Sequence, residues 1–273
     1  MTTTLPPWLE EHCLRLQAKN SDIINLNLNI RRLDESMMEA LAKALRNNHV
    51  IEIVNLTSAL IQPEQALLPL AQVVLPNHPS LQTIHLSYNR LENVTALGLA
   101  LQTNKSLLEL YLDYNLINTS SAVALARGIA QNNTLQVLQL NFNRIGDQGG
   151  RALGNALQSN KSLRQLGLKK NILGPDSASV FMEVLLENVT LTRLNLDENS
   201  NFPASAFQKV QYYIRSNQVG RYLLRDRFLP AGLWSLTLEG LEPTMMFFFL
   251  KRKPDLIPRN INHECLAKKR HHF

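Results

Sequence analysis

The stretch LQVLQLNFNRIGDQGGRALGNALQSNKSLRQLGLKKNIL, residues 135–173, contains the pattern that decides the fold. Apolar residues recur in it at fixed distances around one asparagine: Leu135, Leu138, Leu140, Asn143 and Ile145. The same spacing starts again at Leu163, 28 residues later. Because the fourth and sixth positions are apolar and their neighbours polar, each unit predicts a short strand with one buried face. Helical spacing of the apolar residues after Asp147 predicts a helix, with Asp147 capping its start.

The same pattern extends along most of the chain. Five units fit it closely and begin at Leu81, Leu107, Leu135, Leu163 and Leu191. Two weaker units begin at Ile23 and Ile51, and a degenerate unit begins at Val219. Neighbouring units start 28 residues apart, except for spacings of 30 and 26 on either side of Leu81. A strand and a helix of this size cannot each bury an apolar face alone, so the units must stack on one another.

The pattern L-x-x-L-x-L-x-x-N-x-L is the leucine-rich repeat. It predicts an α/β solenoid (a horseshoe) of about eight repeats, with parallel strands on the concave face and helices on the convex face. We expect an N-terminal helical cap over residues 1–22 and the solenoid over residues 23–218. Residues 219–273 would form a degenerate last repeat, a C-terminal cap and a basic tail. Within the second repeat, Pro69 should kink or break the helix.

The chain resembles the ribonuclease-inhibitor-like subclass of leucine-rich repeat proteins over about residues 23–217. The 28-residue period, the full helix in each unit and the N-x-[ST]-L junctions carry this resemblance. The segments that begin at Asn217, Leu233 and Phe249 resemble the C-terminal cap of algal proteins of this subclass. Ribonuclease inhibitor itself is rich in cysteine, whereas this chain has two, Cys13 and Cys265. The resemblance favours a protein-interaction scaffold that is not an enzyme.

Two alternative functions stay open. The subclass includes Ran GTPase-activating proteins, which carry a functional arginine near an early strand, and Arg31 and Arg32 lie near such a place. The second alternative, binding to nucleic acid or to an anionic membrane surface, comes from the net charge of +6. Residues 1–204 contain 16 basic and 17 acidic residues, and residues 205–273 contain 12 and 5. Binding to nucleic acid or an anionic membrane surface is therefore expected only through the basic tail.

Catalytic and cofactor motifs are absent, so we expect no enzyme activity and no cofactor. The spacing of the tail residues His263, Cys265, His271 and His272 matches no standard zinc site. Four N-x-[ST] sequences recur every 28 residues at Asn104, Asn132, Asn160 and Asn188, where they close helices rather than accept glycans. The start shows no signal-peptide pattern, and the longest apolar run, residues 245–250, is too short to span a membrane. We expect a monomer in the cytoplasm, with the nucleus as an alternative.

The strand residues at the third, fifth and seventh positions should point away from the core, and we expect a protein partner to bind there. The eighth position is aromatic in three successive repeats, at Tyr88, Tyr114 and Phe142. Since neighbouring strands lie about 4.8 Å apart, these rings should touch. The candidate partner-binding residues are this ladder, Tyr111 within it, and the charged neighbours Glu109, Asp113 and Lys169. Alternatively, the aromatic residues only shield the end of the strands and stabilise the stack.

Overall fold

The computed structural model describes residues 5–18, 22–61 and 64–218. Contacts divide the chain into two units, residues 1–217 and 218–273, and the described residues belong almost wholly to the first. The predicted last repeat, C-terminal cap and basic tail, with their histidines and Cys265, lie outside the described residues. Within the described residues, no helix has the length and apolar character needed to cross a membrane.

In the part of the chain that the structure describes, seven three-residue strands form one parallel sheet in chain order. They are β1 (Asn25–Asn27), β2 (Ile53–Asn55), β3 (Thr83–His85), β4 (Glu109–Tyr111), β5 (Val137–Gln139), β6 (Gln165–Gly167) and β7 (Arg193–Asn195). Equivalent repeat positions lie side by side, so that Ile84 pairs with Val54 on one side and with Leu110 on the other. The predicted repeat register is therefore confirmed, and the fold is an α/β leucine-rich repeat solenoid.

A helical segment precedes β1 and one follows each strand. The α-helices are α1 (Pro7–Gln17), α2 (Glu35–Arg46), α3 (Thr95–Thr103), α4 (Thr119–Gln131), α5 (Asp147–Ser159), α6 (Pro175–Val184) and α7 (Ala204–Gln218). Between β2 and β3, a 3₁₀-helix (Glu64–Leu67) and a π-helical turn (Leu70–Val74) replace the α-helix. Pro69 lies between these two segments, which agrees with the predicted interruption of the helix.

The apolar repeat positions form the core between the sheet and the helices. In the third repeat, Leu81, Ile84, Leu86 and Leu91 are buried. At the N-terminal end, α1 buries Leu9, Cys13 and Leu16, and α1 packs against α2. Burial of a leucine side chain contributes about 1.5–3 kcal/mol, so the repeated leucines supply most of the driving force for stacking.

The asparagine at the ninth position joins neighbouring repeats. Asn115 Nδ2 donates to the carbonyl oxygens of Leu86 and Leu112, each at 3.0 Å. Its Oδ1 accepts from the backbone N–H groups of Asn89 and Leu91, also at 3.0 Å. One side chain therefore satisfies backbone groups where the strand ends and the chain turns.

A second column of polar residues closes each helix and leads into the next strand. Asn160 Nδ2 donates to the carbonyl oxygen of Ile129, and its Oδ1 accepts from Ser162 N–H and Leu163 N–H. Asn104, Asn132, Asn160 and Asn188, the four asparagines of the N-x-[ST] sequences, are all buried. Their structural role, predicted from their 28-residue spacing, is confirmed. At the junction between the second and third repeats, His78 occupies the equivalent place.

The prediction that Asp147 caps the start of its own helix, α5, is wrong. The residue at the N-cap of α5 is Gly146, which has no side chain to cap the helix. Asp147 instead accepts hydrogen bonds from the backbone N–H groups of Gly174 and Ser177, at 3.0 and 2.8 Å, at the start of α6. Because the helices stack side by side, the first turn of one helix lies beside the first turn of the next.

Candidate functional site

The backbone conformation at the eighth position of the repeat determines where the side chains of the candidate site point. Tyr88, Tyr114 and Phe142 follow directly after the strands and have φ values of 62°, 55° and 57°, in the left-handed region. Each left-handed residue that is not glycine costs about 1–2 kcal/mol. Backbone hydrogen bonds across repeats hold this conformation, such as Tyr88 N–H to the Asp113 carbonyl oxygen at 3.0 Å. The ninth-position asparagines add further bonds, so the three side chains leave the sheet in the same direction.

The three rings form the predicted ladder. Tyr88 and Tyr114 stack with their ring centroids 4.3 Å apart and their planes 9° from parallel. Tyr114 and Phe142 stack at 4.1 Å and 10°. Despite this contact, 48% of Tyr88 and 41% of Tyr114 remain exposed. The prediction that the rings touch is confirmed, and we call Tyr88, Tyr114 and Phe142 the aromatic ladder.

Tyr111 lies outside the aromatic ladder, which corrects the expectation that it lies within it. Its ring stacks on His85, with centroids 4.5 Å apart and planes 11° from parallel. Tyr111 is at the fifth position, three residues before the ladder position, and therefore meets the fifth-position side chain of the preceding repeat. The Tyr111 hydroxyl donates to Glu109 Oε2 at 2.8 Å. Burial and this bond raise the pKa of Tyr111 to about 12.

Asp113 lies at the seventh position, between Tyr111 and Tyr114 along the chain. Its Oδ1 accepts from the backbone N–H and from Nδ2 of Asn141, both at 2.8 Å. Burial raises the pKa of Asp113, and the two bonds from Asn141 only partly oppose that effect. In the following repeat, Asn141 Nδ2 also donates to Gln139 Oε1, and the missing side chain of Gly167 leaves room for the Gln139 amide.

Charged residues continue the ladder at its C-terminal end. The Nζ atoms of Lys169 and Lys170 lie 5.7 and 5.4 Å from the centroid of the Phe142 ring. Lys169 Nζ pairs with Glu198 Oε1 at 2.8 Å, and Lys170 Nζ lies 3.8 Å from Glu198 Oε2. The hydrogen bond and the charge of Glu198 raise the pKa of Lys169 and, reciprocally, Lys169 lowers that of Glu198. Two cations thus share one carboxylate.

The structure brings the predicted residues together on β4 and at the carboxyl ends of β3 to β6. They form two aromatic stacks with charged neighbours: Tyr88, Tyr114 and Phe142 with Lys169 in one group, and Tyr111 with Glu109 and Asp113 in the other. The sequence-based set omits His85, Asn141, Lys170 and Glu198, which contact its members. The repeat register contains the missing signal, since His85 and Tyr111 occupy the same position in neighbouring repeats.

Arg31, named above for the GTPase-activator alternative, contacts the N-terminal helix. Its Cζ atom lies 5.0 Å from the centroid of the Trp8 ring. A guanidinium over an aromatic face is a stabilising contact. Arg32 is exposed, and its charge contributes a minor part to the lowered pKa of Asp34. GTPase activation remains a prediction from the resemblance.

Of the comparisons with known proteins, the match to a family model agrees with the repeat assignment. A family model described as a leucine-rich repeat matches residues 131–154. Comparison with curated proteins gives no match. A solved structure of actin-binding site 2 of leiomodin-1 is 18% identical, covers 81% of this chain and 95% of its own, and superposes with a TM-score of 0.40. The C-terminal domain of tropomodulin from Caenorhabditis elegans is 16% identical, with coverages of 80% and 97% and a TM-score of 0.37.

Superpositions this loose carry no information about what the chain binds. The assignment rests on the sequence pattern, on the seven strands in register and on the matched family model. The chain carries leucine-rich repeats and has the leucine-rich repeat fold.

Proposed function

We propose that the chain is a non-enzymatic protein-interaction scaffold of the ribonuclease-inhibitor-like subclass. It binds a protein partner through the strand side of the sheet, and the aromatic ladder is the centre of contact. Around the ladder, the binding residues are Glu109, Tyr111, Asp113 and Lys169. The 28-residue repeats and the helices that accompany most strands support the subclass.

The main observation that supports this proposal is the exposure of the tyrosines of the aromatic ladder. Tyrosine is enriched among the residues that dominate binding energy in protein interfaces. Tyr88 and Tyr114 are large, partly exposed and already ordered by stacking and by the backbone. Because they are ordered before a partner arrives, less side-chain entropy is lost on association. Charged groups on both sides of the ladder supply the polar rim that specific interfaces have.

Capture of partners from the native cell separates binding from the alternative that the ladder only stabilises the stack. We expect the double variant Tyr88→Ser, Tyr114→Ser to lose the partner that the unsubstituted chain retains. Serine is a suitable replacement because Ser58 occupies the same left-handed position in the second repeat, with φ of 54°. The matched control is Leu99→Ser, which removes an exposed apolar residue of α3 on the helix side.

Thermal unfolding of the same three proteins completes the experiment. Each lost aromatic pair should cost about 0.5–1.5 kcal/mol, so the double variant should remain folded. Full partner recovery with this variant, together with a lower unfolding midpoint, would show that the ladder is structural and would refute the proposal.

A further inference from the structure

We take two aromatic stacks at the carboxyl ends of β3 and β4 as the walls of a candidate groove. One wall is Tyr88 and Tyr114 of the ladder, and the other is the stack of His85 and Tyr111. Asp113 lies near both walls: after burial and a hydrogen bond, its charge is a further cause of the raised pKa of Tyr88 and of Tyr111. We call these five residues the aromatic groove.

The Asp113 carboxylate is incompletely satisfied. Both hydrogen bonds from Asn141 end on Oδ1. In the described part of the chain, neither Asp113 nor Glu109 forms an ion pair. The lysine that occupies the seventh position two repeats later, Lys169, is paired with Glu198. A carboxylate that is partly removed from water and lacks a cation costs free energy, which an incoming cation recovers.

The walls suit the apolar part of a long basic side chain. Ring faces within each stack are turned toward one another, since the planes are 9° and 11° from parallel. Ring edges and phenol groups therefore border the groove. Lysine and arginine carry a charged head on an apolar stem, and such side chains bury the stem while the head keeps polar partners. His85 adds no opposing charge near neutral pH, because burial lowers its pKa despite the carboxylate of Glu109.

We propose that the aromatic groove receives a lysine or arginine side chain of the protein partner. The cationic head pairs with the carboxylate of Asp113, and the stem packs between Tyr111 and the two ladder tyrosines. This inference rests on the proposed function, and it specifies the partner as one that places a basic residue at the ladder. Charge complementarity decides the class of ligand, because the only ionised group in the groove is an acid.

Four peptides that differ in one central residue test the groove on the unsubstituted full chain. The host is glycine and serine, and the central residue is arginine, lysine, citrulline or glutamate. The ring resonances of Tyr88 and Tyr111 are followed by NMR in the isotope-labelled protein. We expect both rings to shift with the arginine or lysine peptide, and the neutral citrulline peptide to bind about tenfold more weakly than the arginine peptide. Equal shifts with arginine, citrulline and glutamate, or none with either basic peptide, would overturn the inference.

The substitution Asp113→Asn gives a second, independent readout. It removes the charge but keeps an oxygen that accepts from Asn141, so the unfolding free energy should stay the same or rise. Binding of the basic peptides should nevertheless fall about tenfold, to the level of citrulline. Asp197→Asn is the matched control, because Asp197 holds the seventh position after β7 and is exposed. Equal peptide binding by the Asp113→Asn protein and the unsubstituted chain would contradict the pairing.

The two proposals fail in different ways. A captured partner that depends on the ladder but is unaffected by Asp113→Asn leaves the interaction scaffold in place and refutes the basic side chain. If the partner binds equally well to the ladder variant, the proposed binding site is refuted. The peptide series still decides whether the groove selects a cation.

Discussion

His78 shows how one residue type replaces another at a fixed place in the repeat. Its Nδ1 accepts from Ser80 N–H and Leu81 N–H at 3.4 and 3.0 Å, and its Nε2 lies 3.2 Å from the Leu45 carbonyl oxygen. Asn48 makes the same three contacts one repeat earlier. These partners require a neutral imidazole with the proton on Nε2, because Nδ1 must accept. The junction therefore depends on the protonation state of His78.

Stability should change with pH through this residue. Burial lowers the pKa of His78 from its ordinary 6.5, so the unfolded chain takes up the proton first as the pH falls. The contribution of the neutral imidazole is complete above about pH 6.5 and is lost toward the pKa of the folded state. At pH 7, we expect the unfolding free energy of the His78→Asn protein to lie within about 1 kcal/mol of that of the unsubstituted chain. Between pH 7 and 5, the unfolding free energy of this variant should fall less steeply. Urea unfolding across this range measures it.

A comparison variant is His49→Asn, which replaces an exposed histidine whose charge is the smallest of the causes acting on the pKa of His78. Its unfolding free energy should change with pH more nearly as that of the unsubstituted chain does than as that of the His78→Asn protein. If the unfolding free energy of the His78→Asn protein falls with pH as steeply as that of the unsubstituted chain, protonation of His78 does not affect stability.

At the scale of elements, the start of one helix is fixed by the helix before it. Asp147 lies in the first turn of α5 and caps α6 through Gly174, Asp176 and Ser177. Burial acts to raise the pKa of Asp147, but hydrogen bonds led by those from Ser177 outweigh it and leave the pKa lowered. The carboxylate therefore couples two neighbouring repeats.

Removal of this cap should act on α6 rather than on α5. We expect Asp147→Ala to lower the unfolding free energy by about 1–2 kcal/mol and to speed hydrogen exchange in the first turn of α6. Asp176→Ala, at an exposed position in that turn, should cost less, about 0.3–1 kcal/mol. Faster exchange confined to α5 would contradict the cap between repeats.

The sheet could be predicted from the sequence because its signal is local and repeated. Spacing alone predicts the buried residues Ile84, Leu110 and Leu138 and aligns them across strands. The same register pairs Tyr111 with His85, although the sequence-based set left His85 out. The target of Asp147 could not be predicted in this way, because it depends on how far apart neighbouring helices stack.

The left-handed backbone at the eighth position is the other feature missing from the sequence reasoning. Bulky aromatic residues rarely adopt positive φ, and nothing in Tyr88 or Phe142 favours it. The conformation follows from hydrogen bonds across repeats and from the ninth-position asparagines, which are visible only after the repeats are stacked. The spacing predicts that the rings touch, but it does not predict the backbone conformation that points the three side chains in the same direction.

At the scale of the molecule, charge and aromatic exposure are distributed unevenly. Residues 1–204 are nearly neutral, and the excess positive charge lies in residues 205–273. On the strand side of the described residues, the Asp113 carboxylate lies beside the middle of the ladder, where it accepts from Asn141, and Lys169 and Lys170 lie near the Phe142 end. A partner that matches this face needs an apolar centre and a basic residue that reaches Asp113.

Photocrosslinking tests the central claim most directly, because it reports which side of the solenoid touches the partner. A photoreactive phenylalanine analogue is introduced at Phe142, in the ladder, or at Leu99, an exposed position on α3. The proposed function predicts that the partner crosslinks to the chain from Phe142 and not from Leu99. A partner that crosslinks from Leu99 alone would contradict it and would place the binding surface on the helix side.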